Sequence, residues 1–112
     1  MQKSYFVNWD DLSRREVLQG FKGSFAQTEQ MTLAYWDIEE GSILPLHSHP
    51  HEQLSNVIEG EFEMTIGGET QILKPGNAAL IPAHIPHSGR ALTFCRIIDI
   101  FSPIREDYQQ NI

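Results

Sequence analysis

The 112-residue chain is poor in four things, and each absence excludes a class of protein. It has one cysteine, Cys95, so no disulfide can staple it internally. It has no apolar run long enough to span a bilayer, and MQKSYFVNWDDL at its start lacks the apolar core of a secretory leader. Its 8 Lys and Arg are outnumbered by 15 Asp and Glu, giving a formal net charge of -7. Such a surface repels phosphate backbones and anionic lipid, so neither nucleic acid nor membrane is an expected partner. Finally, no stretch keeps a helical period for long. A parallel α/β sheet needs helical crossovers and is therefore not expected. Cys95 lies in the apolar run LTFCRIIDIF and reads as a buried, inert thiol. A cytoplasmic location is consistent with so little cysteine.

What is present reads as strands. Residues 1–14 form an N-terminal arm, in which Asp10 to Ser13 can make one helical turn. Glu16 to Phe25, with Gly20 and Gly23, is expected to be one bent or bulged strand. Met31–Ile38, Leu54–Ile58, Glu61–Ile66, Thr70–Leu73, Ala78–Ile81 and Leu92–Phe101 follow as strands. Turn signals separate them at Glu39-Glu40-Gly41, Glu59-Gly60, Gly67-Gly68 and Lys74-Pro75-Gly76-Asn77. The expected architecture is an all-β barrel or sandwich in one domain, with its core over about residues 15–108.

Three of the five histidines fall in HSHPHEQ, residues 47–53. The two-residue spacing of His47 and His49 puts both side chains on one face of a strand. Pro50 bends the chain, and Gln53 keeps the parity of His49. His87 follows AALIPAHIP, near Pro82 and Pro86. Three imidazoles and an amide oxygen converging inside a barrel would make a metal site with open positions. His51 reads as a surface histidine at the rim, and His84 as a loop residue between two prolines.

A second feature sits in RIIDIFSPIRED. Ile97, Asp99 and Phe101 share one strand face, so Asp99 is an acid on an apolar wall. A buried carboxylate must be paired or must change its pKa. Two readings stand: an ion pair with Arg90, Arg96 or Arg105, or a general acid/base beside a metal.

The spacing around these residues resembles the two cupin motifs. Gly41, five residues, His47-x-His49, three residues, Gln53, six residues and Gly60 match the first. Gly76, five residues, Pro82, four residues and His87 match the second. Two positions depart: Gln53 stands where the family usually has glutamate, and His84 where it usually has glycine. The resemblance implies a jelly-roll barrel holding a divalent ion through His47, His49, Gln53 and His87. Nickel, zinc, manganese and iron are all compatible with such a set. A neutral glutamine leaves the ion's charge uncompensated, which favours an anionic ligand despite the negative surface.

From Trp36 to Tyr108 the chain is similar to the small pectin-degradation cupins of the KdgF type. That likeness rests on HSHPHEQ, the Gly-Gly-Glu-Thr hairpin, IPAHIPH and DIFSPIREDY. It implies linearisation of 4,5-unsaturated monouronates to the open-chain 5-keto-4-deoxyuronate. By position it implies Asp99 and Arg105 as catalytic residues, with Phe101 and Arg105 contacting substrate. Other readings are a different metal-dependent cupin enzyme, such as a dioxygenase or sugar isomerase, or a non-catalytic carbohydrate-binding cupin. A homodimer is expected, because the edge strands of a small jelly roll need covering.

Overall fold

The computed structural model describes residues 5–108. It contains ten strands in two antiparallel sheets. In chain order these are β1 (Arg15–Leu18), β2 (Phe21–Gln27), β3 (Thr32–Ile38), β4 (Ile43–His47), β5 (Glu52–Glu59), β6 (Phe62–Ile66), β7 (Glu69–Leu73), β8 (Ala78–Ile81), β9 (His87–Ala91) and β10 (Cys95–Ser102). The larger sheet runs β1-β2-β3-β10-β5-β8 and the smaller β4-β9-β6-β7. Among the described residues, no helix is long and apolar enough to cross a membrane. The two one-turn 3-10 segments are Trp9–Asp11, where Asn8 Oδ1 accepts from the Asp10 amide, and Glu106–Tyr108.

The strands form where apolar and polar residues alternate. In β3 and β10, and in β5 as far as Val57, every second residue is buried. Their inner faces supply Trp36, Ile38, Val57, Ile97 and Phe101 to a core closed by Phe25, Phe62, Met64 and Ile81. Gly67 and Gly68, at φ 54° and 89°, make the two-residue turn between β6 and β7 that the sequence predicts.

Three expectations change. Glu16 to Phe25 is a hairpin rather than one bent strand. Gly20, at φ 84°, reverses the chain, and its amide donates to Glu16 Oε2. The last strand begins at Cys95, because residues 92–94 are committed to the Gly60 turn: the Leu92 amide donates to Glu61 O, and Thr93 Oγ1 accepts from the Glu61 amide. The strands β4 and β9 carry no clear apolar alternation. Here β9 is fixed by pairing, with Gly89 lying directly against the Phe62 ring.

Residues 1–4 of the expected arm lie outside the described residues; Trp9 and Arg14 of its remainder lie on the outer face of the larger sheet. Arg14 pairs with Asp37 at 3.0 Å and its guanidinium sits 4.7 Å above the Tyr35 ring, while Trp9 meets the same ring edge-on. Asp37 also receives Arg96 at 2.9 Å, so one carboxylate ties arm to barrel. The other half of that face, on β5 and β8, exposes Leu54, Ile58 and Leu80.

The motif glycines separate by what surrounds them. Gly41, Gly60 and Gly76 all have φ between 86° and 95°, but only at Gly60 would a Cβ collide with backbone, at Phe94 O. A left-handed φ alone costs a non-glycine residue about 1–2 kcal/mol. Gly41→Ala and Gly76→Ala should each lose about that much in chemical denaturation, and Gly60→Ala measurably more. Equal losses at all three would show that the Gly60 turn has room to shift.

Candidate metal centre and pocket

The two sheets bring the histidines together. His47 ends β4 and pairs directly with His87, which opens β9. Their ring centroids are 4.2 Å apart, and His49 lies 4.9 Å from His87 and 5.7 Å from His47. The ligand atoms of all three lie within 4.8 Å of one another, so the three could hold a metal ion. His49 is not on a strand as its spacing suggested. It stands on the bend after β4, where the His84 amide donates to its carbonyl at 2.8 Å. His84 has φ 68°, a conformation that favours glycine, which accounts for the glycine usual at this motif position. The His84 ring itself is exposed. His51 is half-buried, with its ring beside His49 and Phe101, and is not the surface histidine its position suggested.

Each imidazole is oriented by a carbonyl two residues away. His47 Nδ1 lies 2.7 Å from Pro45 O, His49 Nδ1 3.0 Å from His51 O, and His87 Nδ1 2.9 Å from Ile85 O. A carbonyl only accepts, so each Nδ1 carries a proton, and in the neutral ring Nε2 is left with a lone pair. The His87 Nε2 is buried with no hydrogen-bond partner. His49 Nε2 faces Gln53 Oε1 at 3.1 Å, which sets two acceptors against each other. A second proton on His49 would relieve this, but burial, and then Arg105 and His87, hold its pKa below the usual value. A cation relieves it directly. Two ligands about 2.1 Å from one ion lie about 3.0–3.4 Å apart, the spacing seen here. The donor set therefore fits a divalent metal.

Gln53 and Asp99 face the same interior. Gln53 is 6% and Asp99 8% exposed. In the sheet register Gln53 pairs with Phe101 and Ser55 with Asp99, so Gln53 lies diagonally next to the carboxylate. On the other side Trp36 Nε1 donates to Asp99 Oδ2 at 3.1 Å, while Oδ1 makes no hydrogen bond of good geometry. No arginine pairs with Asp99: Arg96 goes to Asp37, Arg90 to Glu63 and Arg105 to Asp107. Burial pushes the Asp99 pKa up to about 6, against the opposing pull of Ser55, Gln53, Trp36 and Arg105.

Arg105 closes the pocket from the segment after β10. Its guanidinium lies 4.7 Å from the Phe101 ring centre and 4.2 Å from that of Tyr108. Its backbone is fixed as well: its amide donates to Thr32 Oγ1, and its carbonyl accepts from Gln27 Nε2. Asp107 takes its Nε and Nη2 at 3.0 and 2.7 Å, and the Tyr108 side chain also engages it, so only part of its N–H fork is left for a ligand. The pocket is lined by His47, His49, Gln53, Asp99, Phe101 and Arg105 together with mostly apolar residues. Trp36, Ser55, Asp107 and Tyr108 are site residues that sequence reasoning missed. The parity of Trp36 and Ser55 was readable, but which strands lie beside Asp99 was not.

Two sheets of a jelly roll, with the histidines of two motifs meeting at one end, define the chain as a member of the cupin family, and the cupin domain pattern matches residues 34–101. Within that family it is similar to the pectin degradation protein KdgF of Dickeya dadantii (strain 3937). The two are 30% identical over 109 residues, 95% of this chain and 98% of the relative. Residues in a shorter 53-residue stretch are 43% identical to quercetin 2,3-dioxygenase of Bacillus subtilis (strain 168), covering 46% of this chain and 15% of that enzyme. Among solved structures, KdgF from Halomonas sp. superposes with a TM-score of 0.88 at 31% identity, covering 96% of this chain and all of that one. An RmlC-like cupin from Shewanella frigidimarina NCIMB 400 gives 0.91 at 28% identity, covering 96% and 98%.

The raised Asp99 pKa has a consequence for stability. Folding favours the neutral carboxyl, so this contribution is complete below the unfolded value near 3.8 and is lost as pH rises through about 6. Its size is on the order of 3 kcal/mol. In chelator-treated protein, wild type should lose stability relative to Asp99→Asn between pH 4 and pH 7, measured by urea denaturation. Parallel profiles for the two proteins would contradict a buried, unpaired Asp99.

Proposed function

We propose that the protein is a metal-dependent enzyme that linearises 4,5-unsaturated monouronates to 5-keto-4-deoxyuronate. The observation that carries this reading is one pocket combining a neutral ligand set with an unpaired buried carboxylate and a guanidinium held on two rings. His47, His49, Gln53 and His87 are the proposed ligands. The KdgF-type likeness over nearly the whole chain supports the substrate class.

The proposed substrate is a cyclic hemiacetal whose ring oxygen is bonded to C5 of a C4=C5 double bond. Asp99 takes the proton of the C1 hydroxyl, and the C1 carbonyl forms as the C1–O5 bond breaks. The electron pair passes to O5 and is delocalised toward C4. Protonation of C4, from Asp99, completes the 5-ketone, so the step is an isomerisation without any co-reactant. A divalent ion on this ligand set would supply positive charge beside the developing oxygen anion and the adjacent carboxylate. Arg105 offers its remaining N–H groups to the same carboxylate. Phe101, beneath the Arg105 guanidinium, offers an apolar wall to the sugar.

The 53-residue match to a dioxygenase favours a second reading, that of an oxygen-consuming cupin enzyme. One experiment separates the two. Unsaturated uronate from a lyase digest is supplied to the metal-loaded protein, while alkene absorbance and dissolved oxygen are followed together. Loss of absorbance faster than the spontaneous opening, with oxygen constant, is expected. Asp99→Asn should lower the rate by about 10²-fold or more, the range of general acid–base catalysis. Near-full activity with metal content unchanged would remove Asp99 from that role, and no acceleration by loaded wild type would sink the reading.

The functional unit is proposed to be a homodimer. Trp9 and Arg14 pack on the β3 side of the larger sheet's outer face, and Leu54, Ile58 and Leu80 on the other half remain 44%, 45% and 71% exposed. Leu54 and Leu80 are cross-strand partners, so they form one patch that a second copy could cover. Leu80→Glu should shift the sedimentation coefficient from dimer to monomer. A wild type that sediments as a monomer at high concentration would exclude the dimer.

A further inference from the structure

The first cupin motif usually carries glutamate where this chain has Gln53, and the surroundings of Gln53 give a reason for the amide. Gln53 and Asp99 occupy neighbouring inner-face positions on paired strands, both nearly inaccessible to water. Asp99 faces Ala34 across the other strand pairing, and so small a side chain leaves room for the carboxylate between Trp36 and Gln53. Trp36 Nε1 takes Oδ2. The buried Oδ1 is left to Ser55 and Gln53, the polar side chains beside it on β5, and the nearby guanidiniums already have acids of their own. Arg105 is engaged by both carboxylate oxygens of Asp107, and Arg96 by Asp37.

The glutamine is oriented to match. Its Oε1 points to His49 Nε2 at 3.1 Å, toward the proposed ion. A glutamine that presents its oxygen there has two N–H donors left, and Asp99 is the acceptor beside it. A glutamate at the same place could not donate, and would bring a second buried negative charge against the first.

We infer that Asp99 and Gln53 work as one unit, in which Asp99 is a positioning residue that fixes the amide with its oxygen toward the metal, and that Asp99 is what makes glutamine rather than glutamate the fitting ligand. This rests on the ligand set proposed above and adds a second duty to Asp99. It also accounts for the departure from the family motif by a partner on another strand.

The test is a double-mutant cycle on the full chain: wild type, Gln53→Glu, Asp99→Asn and the double variant. The readouts are nickel and zinc affinity by competition with a chromophoric chelator, and the unfolding temperature of chelator-treated protein. Gln53→Glu should weaken metal binding at least tenfold when Asp99 is present. It should strengthen binding at least tenfold in the Asp99→Asn background, because the introduced asparagine amide can donate to the introduced glutamate while its oxygen accepts from Trp36. In metal-free protein, Gln53→Glu should lower the unfolding temperature in the Asp99 background and leave it nearly unchanged in the other. Equal effects of Gln53→Glu in both backgrounds, in affinity and in unfolding temperature, would overturn the inference. Wild type that binds neither metal would instead defeat the ligand assignment, and the metal-free unfolding cycle would still decide whether the two residues are coupled.

Discussion

Everything at the open end of this barrel depends on where three imidazole protons go. His47, His49 and His87 each donate Nδ1–H to a backbone carbonyl two residues away, at Pro45, His51 and Ile85. Those carbonyls belong to the segments that carry the rings, so the chain's local path sets the tautomer. With the protons placed there, three Nε2 lone pairs converge, and one of them is buried without any partner. A buried acceptor of that kind is costly without a partner, because it has lost its water. Pro45, Pro50 and Pro86 lie in these segments, and each fixes its own φ and leaves no amide to donate to a sheet ladder.

The barrel then divides labour between its two sheets. The smaller sheet and its bend supply the imidazoles, while the inner face of the larger sheet supplies Gln53, Asp99, Trp36 and Phe101. Because β10 lies between β3 and β5, Asp99 has Trp36 on one flank and Gln53 on the other. A strand at the edge of the sheet could not be held from both sides. The carboxylate is thus fixed in a nearly dry position without being neutralised by an ion pair. Its raised pKa reflects this balance, with burial outweighing its polar neighbours.

Much of this was readable from the chain, and the gaps have physical causes. The alternation in MTLAYWDI and RIIDIF fixed their inner faces, and glycine and proline marked the turns. The proposed ligand residues were legible because motif spacing is a local property. The strand His87–Ala91 was not, since HSGRA has one small apolar residue and is held by pairing with β4 and β6 rather than by its own pattern. Asp107 was invisible as a partner of Arg105 for a different reason. A two-residue separation on an irregular segment says nothing about side-chain direction until the path of the chain is known. The partner of Asp99 was open for the same reason: three arginines were candidates, and each proved to be taken by another acid.

The charge of the whole molecule and the charge of its site point in opposite directions. A net charge of -7 would disfavour an anionic sugar at long range. Yet the pocket's own groups are neutral imidazoles, a neutral amide, a guanidinium and one buried acid. At the site's length scale those groups dominate, because salt screens distant surface charge within about 10 Å while contacts inside the pocket are screened much less. A glutamate ligand would have removed much of that local advantage. The amide keeps it, and Asp99 on the neighbouring strand is the acceptor we infer to hold that amide in one orientation.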